Sequence, residues 1–265
     1  MKSSAIRVLC VGAIAIVGMV AGVSANHSWG GYHWARTSNP FTLKVGNNVS
    51  QAWQGSFSIA LSDWSQSSVL NLIEVPGGTR PKNCRPTSGQ IEVCSASYGN
   101  NGWLGIAQIW LSGGHIAQAI TKLNDYYFAM TKYNTPAWRN FVTCQEIGHD
   151  FGLDHQDENF DNANLGSCMD YTSAPSSNQH PNQHDYDQLE TIYAHLDSTT
   201  TVGASTLPSA MPPAMGQIDF DTPAQWGQLV RSAASGRIEV YELDFGRGNK
   251  VVTHVLWADG RGDAR

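Results

Sequence analysis

The sequence predicts an α+β fold. Short β-rich runs dominate, and three helical stretches interrupt them. The order is strand, helix, several strands, helix, a polar loop and a last helix, with no internal repeat.

Phe41-Thr-Leu-Lys-Val45 alternates apolar and polar residues and reads as a strand. Asn47 or Asn48 can cap the next segment. There Val49, Trp53, Phe57, Ala60, Leu61 and Trp64 recur at helical spacing, predicting a helix over about 49–64. Val69 to Val75 is an apolar strand ended by Pro76-Gly77-Gly78. Gln90 to Ser97, Leu104 to Leu111 and His115 to Leu123 read as further strands, separated by glycine turns. Thr135-Pro136 is a strong helix start, with a side-chain acceptor at the cap and proline at the first helical position. That helix reaches about Phe151, and Gly152 ends it. A last helix covers about His184–Leu196, with Tyr186, Leu189, Tyr193 and Leu196 on its apolar side.

The ends read differently. Lys2 and Arg7, an apolar run from Val8 to Val20, and Val23-Ser24-Ala25 make residues 1–25 an expected signal peptide. The domain proper is then 26–197. A Ser/Thr/Pro/Ala linker spans 198–216, and a small β-hairpin-like extension covers 217–265, with strands at Arg237–Phe245 and Lys250–Trp257. The expected protein is secreted, a monomer, with no stable membrane association. Removing Lys2 and Arg7 from the 16 basic residues leaves 14 against 22 acidic ones, a net charge of −8. That balance argues against a nucleic-acid partner, which needs basic patches.

Cys10 leaves with the signal peptide, so four cysteines remain. An even count in an exported chain favours two disulfides, and of the three possible pairings the expected one is Cys84–Cys94, which closes a short loop, with Cys144–Cys168. No C-x-x-C pair supports zinc ligation by these thiols.

The chemistry concentrates in Cys144-Gln-Glu-Ile-Gly-His-Asp-Phe-Gly-Leu-Asp-His155. Positions i and i+4 share a helix face, so Gln145 and His149 point the same way, with Glu146 one position over. Gly152 permits a sharp turn that returns His155 to them. Three protein ligands and an open position describe catalytic zinc. Near it, Ser167-Cys-Met-Asp-Tyr171 follows after a short polar loop.

These residues resemble the metzincin clan of zinc metallopeptidases, the neighbourhood of matrixins, astacins and serralysins. The signature there is H-E-x-x-H-x-x-G-x-x-H, and this chain carries Gln145 in place of the first histidine. The resemblance implies a zincin-like fold and zinc held by Gln145, His149 and His155. It also implies Glu146 as general base and acid, Met169 as the Met-turn residue beneath the metal, and Tyr171 as an oxyanion stabiliser. It makes residues 104–111 an edge strand that pairs with an extended protein or peptide substrate. The implied function is hydrolysis of internal peptide bonds. The alternative is a pseudoenzyme that keeps the fold as a binding module. His180 or His184 stands as a replacement for the missing ligand.

Three further patterns carry weaker signals. Asp157, Glu158, Asp161 and Asn159, Asn162 and Asn164 offer oxygens for Ca2+, or a solvated loop, and no EF-hand spacing is present. Asn48-Val-Ser50 is a glycosylation acceptor sequence, and Arg261-Gly-Asp263 a short adhesion tripeptide.

Overall fold

The computed structural model describes residues 27–216, 220–233 and 236–259. The expected signal segment and the Arg261-Gly-Asp263 tripeptide lie outside them.

The fold is α+β, built on one mixed sheet. Its strands are β1 (His33–Trp34), β2 (Phe41–Asn48), β3 (Leu70–Pro76), β4 (Ile91–Ala96), β5 (Trp103–Ser112), β6 (His115–Asn124), β7 (Gln228–Ala233), β8 (Ile238–Asp244) and β9 (Asn249–Trp257). The order across the sheet is β3-β2-β4-β6-β5-β9-β8-β7, with β1 added beside β6. Pairings from β3 to β6 are parallel, and those from β6 to β7 are antiparallel. The helices are α1 (Gln54–Trp64), the short α2 (Asp125–Phe128), α3 (Pro136–His149) and α4 (Gln183–Ile192).

Local signals explain the helices. The Thr135 hydroxyl accepts from the Trp138 amide at 3.2 Å and starts α3 behind Pro136. Asn182 and Asp185 form a reciprocal capping box at the start of α4. Before α1, Asn47 accepts from the Val49 amide, but a single 3-10 turn at Gln51–Trp53 precedes the α-helix. Gly152 follows α3 at φ +88°, and a Cβ there would collide with the Tyr32 carbonyl. Only glycine meets both demands.

The sheet buries both faces. Trp53 from the 3-10 turn, Phe57 and Trp64 from α1, and Phe141, Val142 and Ile147 from α3 pack on one side. The other side is covered by Leu207, Met211, Met215, Phe220 and Trp226. The segment read from composition as a linker therefore packs on the sheet: Met215 is fully buried and its carbonyl accepts from the Trp110 indole at 3.2 Å. The disulfides Cys84–Cys94 and Cys144–Cys168 are both formed, which fits an oxidising environment. Among the described residues no helix is long and apolar enough to cross a membrane.

Two expectations are corrected here. Residues 104–111 are not a sheet edge, because β9 pairs with β5 along its whole length, from Trp103↔Trp257 to Ser112↔Asn249. Local periodicity finds both strands but carries no information about this long-range pairing. Asn48 is buried and donates to Glu92 at 2.6 Å, so it does not present a glycosylation acceptor.

Candidate metal centre

The centre lies between α3 and the sheet. On β5, Gly105 and Ala107 face α3, and a Cβ at Gly105 would press on Val142 and Glu146. On β9, Val252, His254 and Leu256 face the same way, with Val252 and Leu256 in the helix-side core. His254 sits opposite Ala107 in the β5–β9 register. The small β5 side chains leave the space that Glu146 and His254 fill.

Three imidazoles meet there. His149, His155 and His254 place ligand nitrogens within 4.8 Å of one another. Each Nδ1 is already engaged. The His149 Nδ1–H donates to the Leu153 carbonyl at 2.9 Å. The His254 Nδ1 lies 2.9 Å from Glu146 Oε2. The His155 Nδ1 lies 2.7 Å from Tyr171 Oη and 3.3 Å from Asp154 Oδ1. With the proton at Nδ1 in each ring, the three Nε2 atoms are bare lone pairs, the state in which a metal ligand is held by its outer partners. Yet Nε2 of His149 faces Nε2 of His155 at 3.1 Å, and Nε2 of His254 is buried without a partner. In that tautomer the facing lone pairs repel, and a cation among them removes the repulsion. Zinc–nitrogen bonds of about 2.0–2.1 Å imply a ligand–ligand edge of roughly 3.3 Å in a tetrahedron, close to that separation. The donor set fits a metal ion.

The electrostatics agree. Burial pushes His149, His155 and His254 well below the usual histidine range, His254 to about 3, so all three stay neutral. Burial also raises the Glu146 carboxyl well above its usual range. Its Oε1 has no partner while Oε2 engages His254. Burial works on Asp154 too, but hydrogen bonds with His155 and Arg231 hold its carboxyl far below the carboxylate range. An ionised Asp154 beside Nδ1 of His155 helps fix that proton.

Of the residues expected from the sequence, Glu146, His149 and His155 come together. Gln145 is buried, and its Nε2 donates to the Cys168 carbonyl at 2.9 Å. The third imidazole comes from β9 instead. Tyr171 stands behind His155 as a hydrogen-bond partner rather than at an open ligand position. Met169 packs under α3 at Gly148, where an added Cβ would strike its sulfur. His180 pairs with Asp63 at 2.6 Å and His184 stacks on His27, so neither joins the centre. In the polar loop, Asp157 accepts from the Asn159 amide and from Asn162, and Glu158 pairs with Arg231. His254 was missed, although one signal existed: a histidine at an inward-facing position between Val252 and Leu256.

The centre is closed. Glu146, His149 and His254 have no exposure and His155 has 5%. The Trp29 ring lies parallel to His149, with centroids 4.7 Å apart. No protein-family model matches this chain, and no curated protein matches it.

Proposed function

We propose that this protein is a secreted, zinc-dependent peptidase with a zincin-like fold, in which His149, His155 and His254 hold the ion. The observation that carries this reading is the pair of facing Nε2 atoms at 3.1 Å, beside the unpartnered Nε2 of His254 and the bare Oε1 of Glu146. When bound, zinc supplies Lewis acidity to a peptide carbonyl and to water. Glu146 divides its work between two oxygens. Oε2 keeps His254 in place, and Oε1 takes a proton from attacking water and returns it to the leaving amine. Burial makes this carboxyl a stronger base than an exposed one. Leu153, Tyr171 and Asp154 orient the other two imidazoles. The substrate class is an extended protein segment. It enters by displacing the segment carrying Trp29, which is tied to the Gly152–Asp154 turn by the Trp29 amide to Gly152 and the Asp154 amide to His27.

A second reading, a metal centre that binds without cleaving, is favoured by the full burial of the site and by β9 along β5. One experiment separates them: zinc stoichiometry of the purified protein beside casein cleavage with and without chelator. Chelator-sensitive cleavage supports the peptidase. Zinc without cleavage supports the binding module, and no bound zinc sinks both.

A further inference from the structure

A second cluster lies where β1, the start of β6 and the chain after α4 meet. We propose that His33, His195 and Asp197 form a second metal site there, for zinc or a similar divalent transition-metal ion, that staples the N-terminal strand to the end of the last helix.

Three distances carry this. Nε2 of His33 lies 3.4 Å from Asp197 Oδ1 and 3.2 Å from Nε2 of His195, and Nε2 of His195 lies 3.7 Å from the same Oδ1. These are the three edges of one triangular face. A tetrahedral ion with bonds of about 2.0–2.2 Å to nitrogen and oxygen has edges of roughly 3.3–3.5 Å. Hydrogen bonding alone explains the triangle poorly. If both imidazoles donate to Oδ1, they face each other donor to donor at 3.2 Å.

The outer partners are in place as well. The His33 Nδ1–H donates to the Gly31 carbonyl at 2.8 Å, which leaves Nε2 a lone pair. Asp197 uses its two oxygens differently: Oδ2 accepts from the Arg36 amide at 3.1 Å and guanidinium at 2.9 Å, and Oδ1 faces the imidazoles. His115 reaches the same Oδ1 at 3.2 Å from β6 and is the nearest further donor.

The site would do structural work. The β1 strand has two residues and, among the described residues, pairs only with β6. A cross-link from His33 to Asp197 holds this strand, and with it the preceding segment that carries Trp29 over the first centre.

The test uses the full chain, zinc alone as probe, and metal counting by mass spectrometry after gel filtration. Wild type should hold two equivalents. His195→Ala, at a half-exposed ring, should hold one, and His254→Ala should hold one by losing the other centre. The second equivalent should weaken by about 100-fold or more in His195→Ala, since even outer partners are worth 10–100-fold. Zinc should raise the Tm of His254→Ala, and this rise should vanish in the His195→Ala/His254→Ala double variant. His180→Ala, which removes an exposed histidine paired with Asp63, should change nothing. The proposal is overturned if His195→Ala keeps the wild-type count, or if His180→Ala loses as much. Because His254→Ala is scored separately, failure of the first centre leaves the His195 result readable.

Discussion

Glu146 and His254 stand 108 residues apart in the chain and 2.9 Å apart in space, carboxylate Oε2 against imidazole Nδ1. Neither side chain has any solvent exposure. The bond joins α3 to a strand that composition assigns to a C-terminal appendage. It makes the appendage part of the site.

His254→Ala should therefore lose metal and activity together. We expect zinc affinity at the first centre to fall by more than about 100-fold, because loss of an outer partner alone costs 10–100-fold. Casein cleavage should fall with it. Circular dichroism would verify that the sheet survives. Undiminished zinc binding at this centre would remove His254 from the ligand set.

Glu146→Gln should separate binding from chemistry. The amide oxygen can still accept from the His254 Nδ1–H, so zinc affinity should fall by no more than about tenfold. Cleavage should drop by roughly 100-fold or more, the usual worth of a general base. A variant that turns over casein at the wild-type rate would show that Glu146 only positions His254.

Gln145→His restores the resembled signature but should not improve the centre. Its present amide donates to the Cys168 carbonyl at 2.9 Å, in a fully buried position. The substitution should cost about 1–3 kcal/mol of stability through the unpaired carbonyl. It should not bring the orders-of-magnitude gain in zinc affinity that a third imidazole gives a two-imidazole site. Such a gain, measured by competition with a chelator, would show that His254 is not a ligand.

The metal-free protein should be acid-labile in a defined window. Folded His149, His155 and His254 have depressed pKa values, His254 near 3, while the unfolded chain protonates its histidines near 6.5. Below pH 6.5 the unfolded state binds more protons at these histidines, so their contribution to stability is full above that pH and declines as pH falls towards 3. Urea melts of chelator-treated protein should show this slope, and His254→Ala should flatten it. A slope unaltered by the substitution would contradict the neutral buried state.

Trp29→Ala should loosen the cover. Removing a buried indole stacked at 4.7 Å on His149 should cost about 3–5 kcal/mol and speed zinc transfer to a chelator. An unchanged transfer rate would mean that another element guards the centre.

Much of this is legible in the sequence. Thr135-Pro136 and Gly152 bracket α3 because capping is local chemistry, and the fourfold spacing on that helix implies a shared face. The Cys144–Cys168 tie and the approach of His155 follow from the same neighbourhood. The third imidazole was not legible in this way. Its place depends on β9 lying beside β5, a pairing set by two buried sheet faces rather than by any short pattern. The phase of Val252, His254 and Leu256 marks the histidine as inward-facing, but not what it faces. The same non-local pairing overturned the expectation of a free strand at 104–111, and the packing of Met215 under Trp110 did so for the supposed linker.

The pairing of β9 with β5 also bears on how such a molecule is made. A polypeptide grows from its N-terminus, so α3 leaves the ribosome long before His254. Any chain that stops between them, through a premature stop codon or an early cut, carries two imidazoles and a bare carboxylate but no third donor. An unfinished copy of the protein therefore cannot assemble the cluster of His149, His155 and His254.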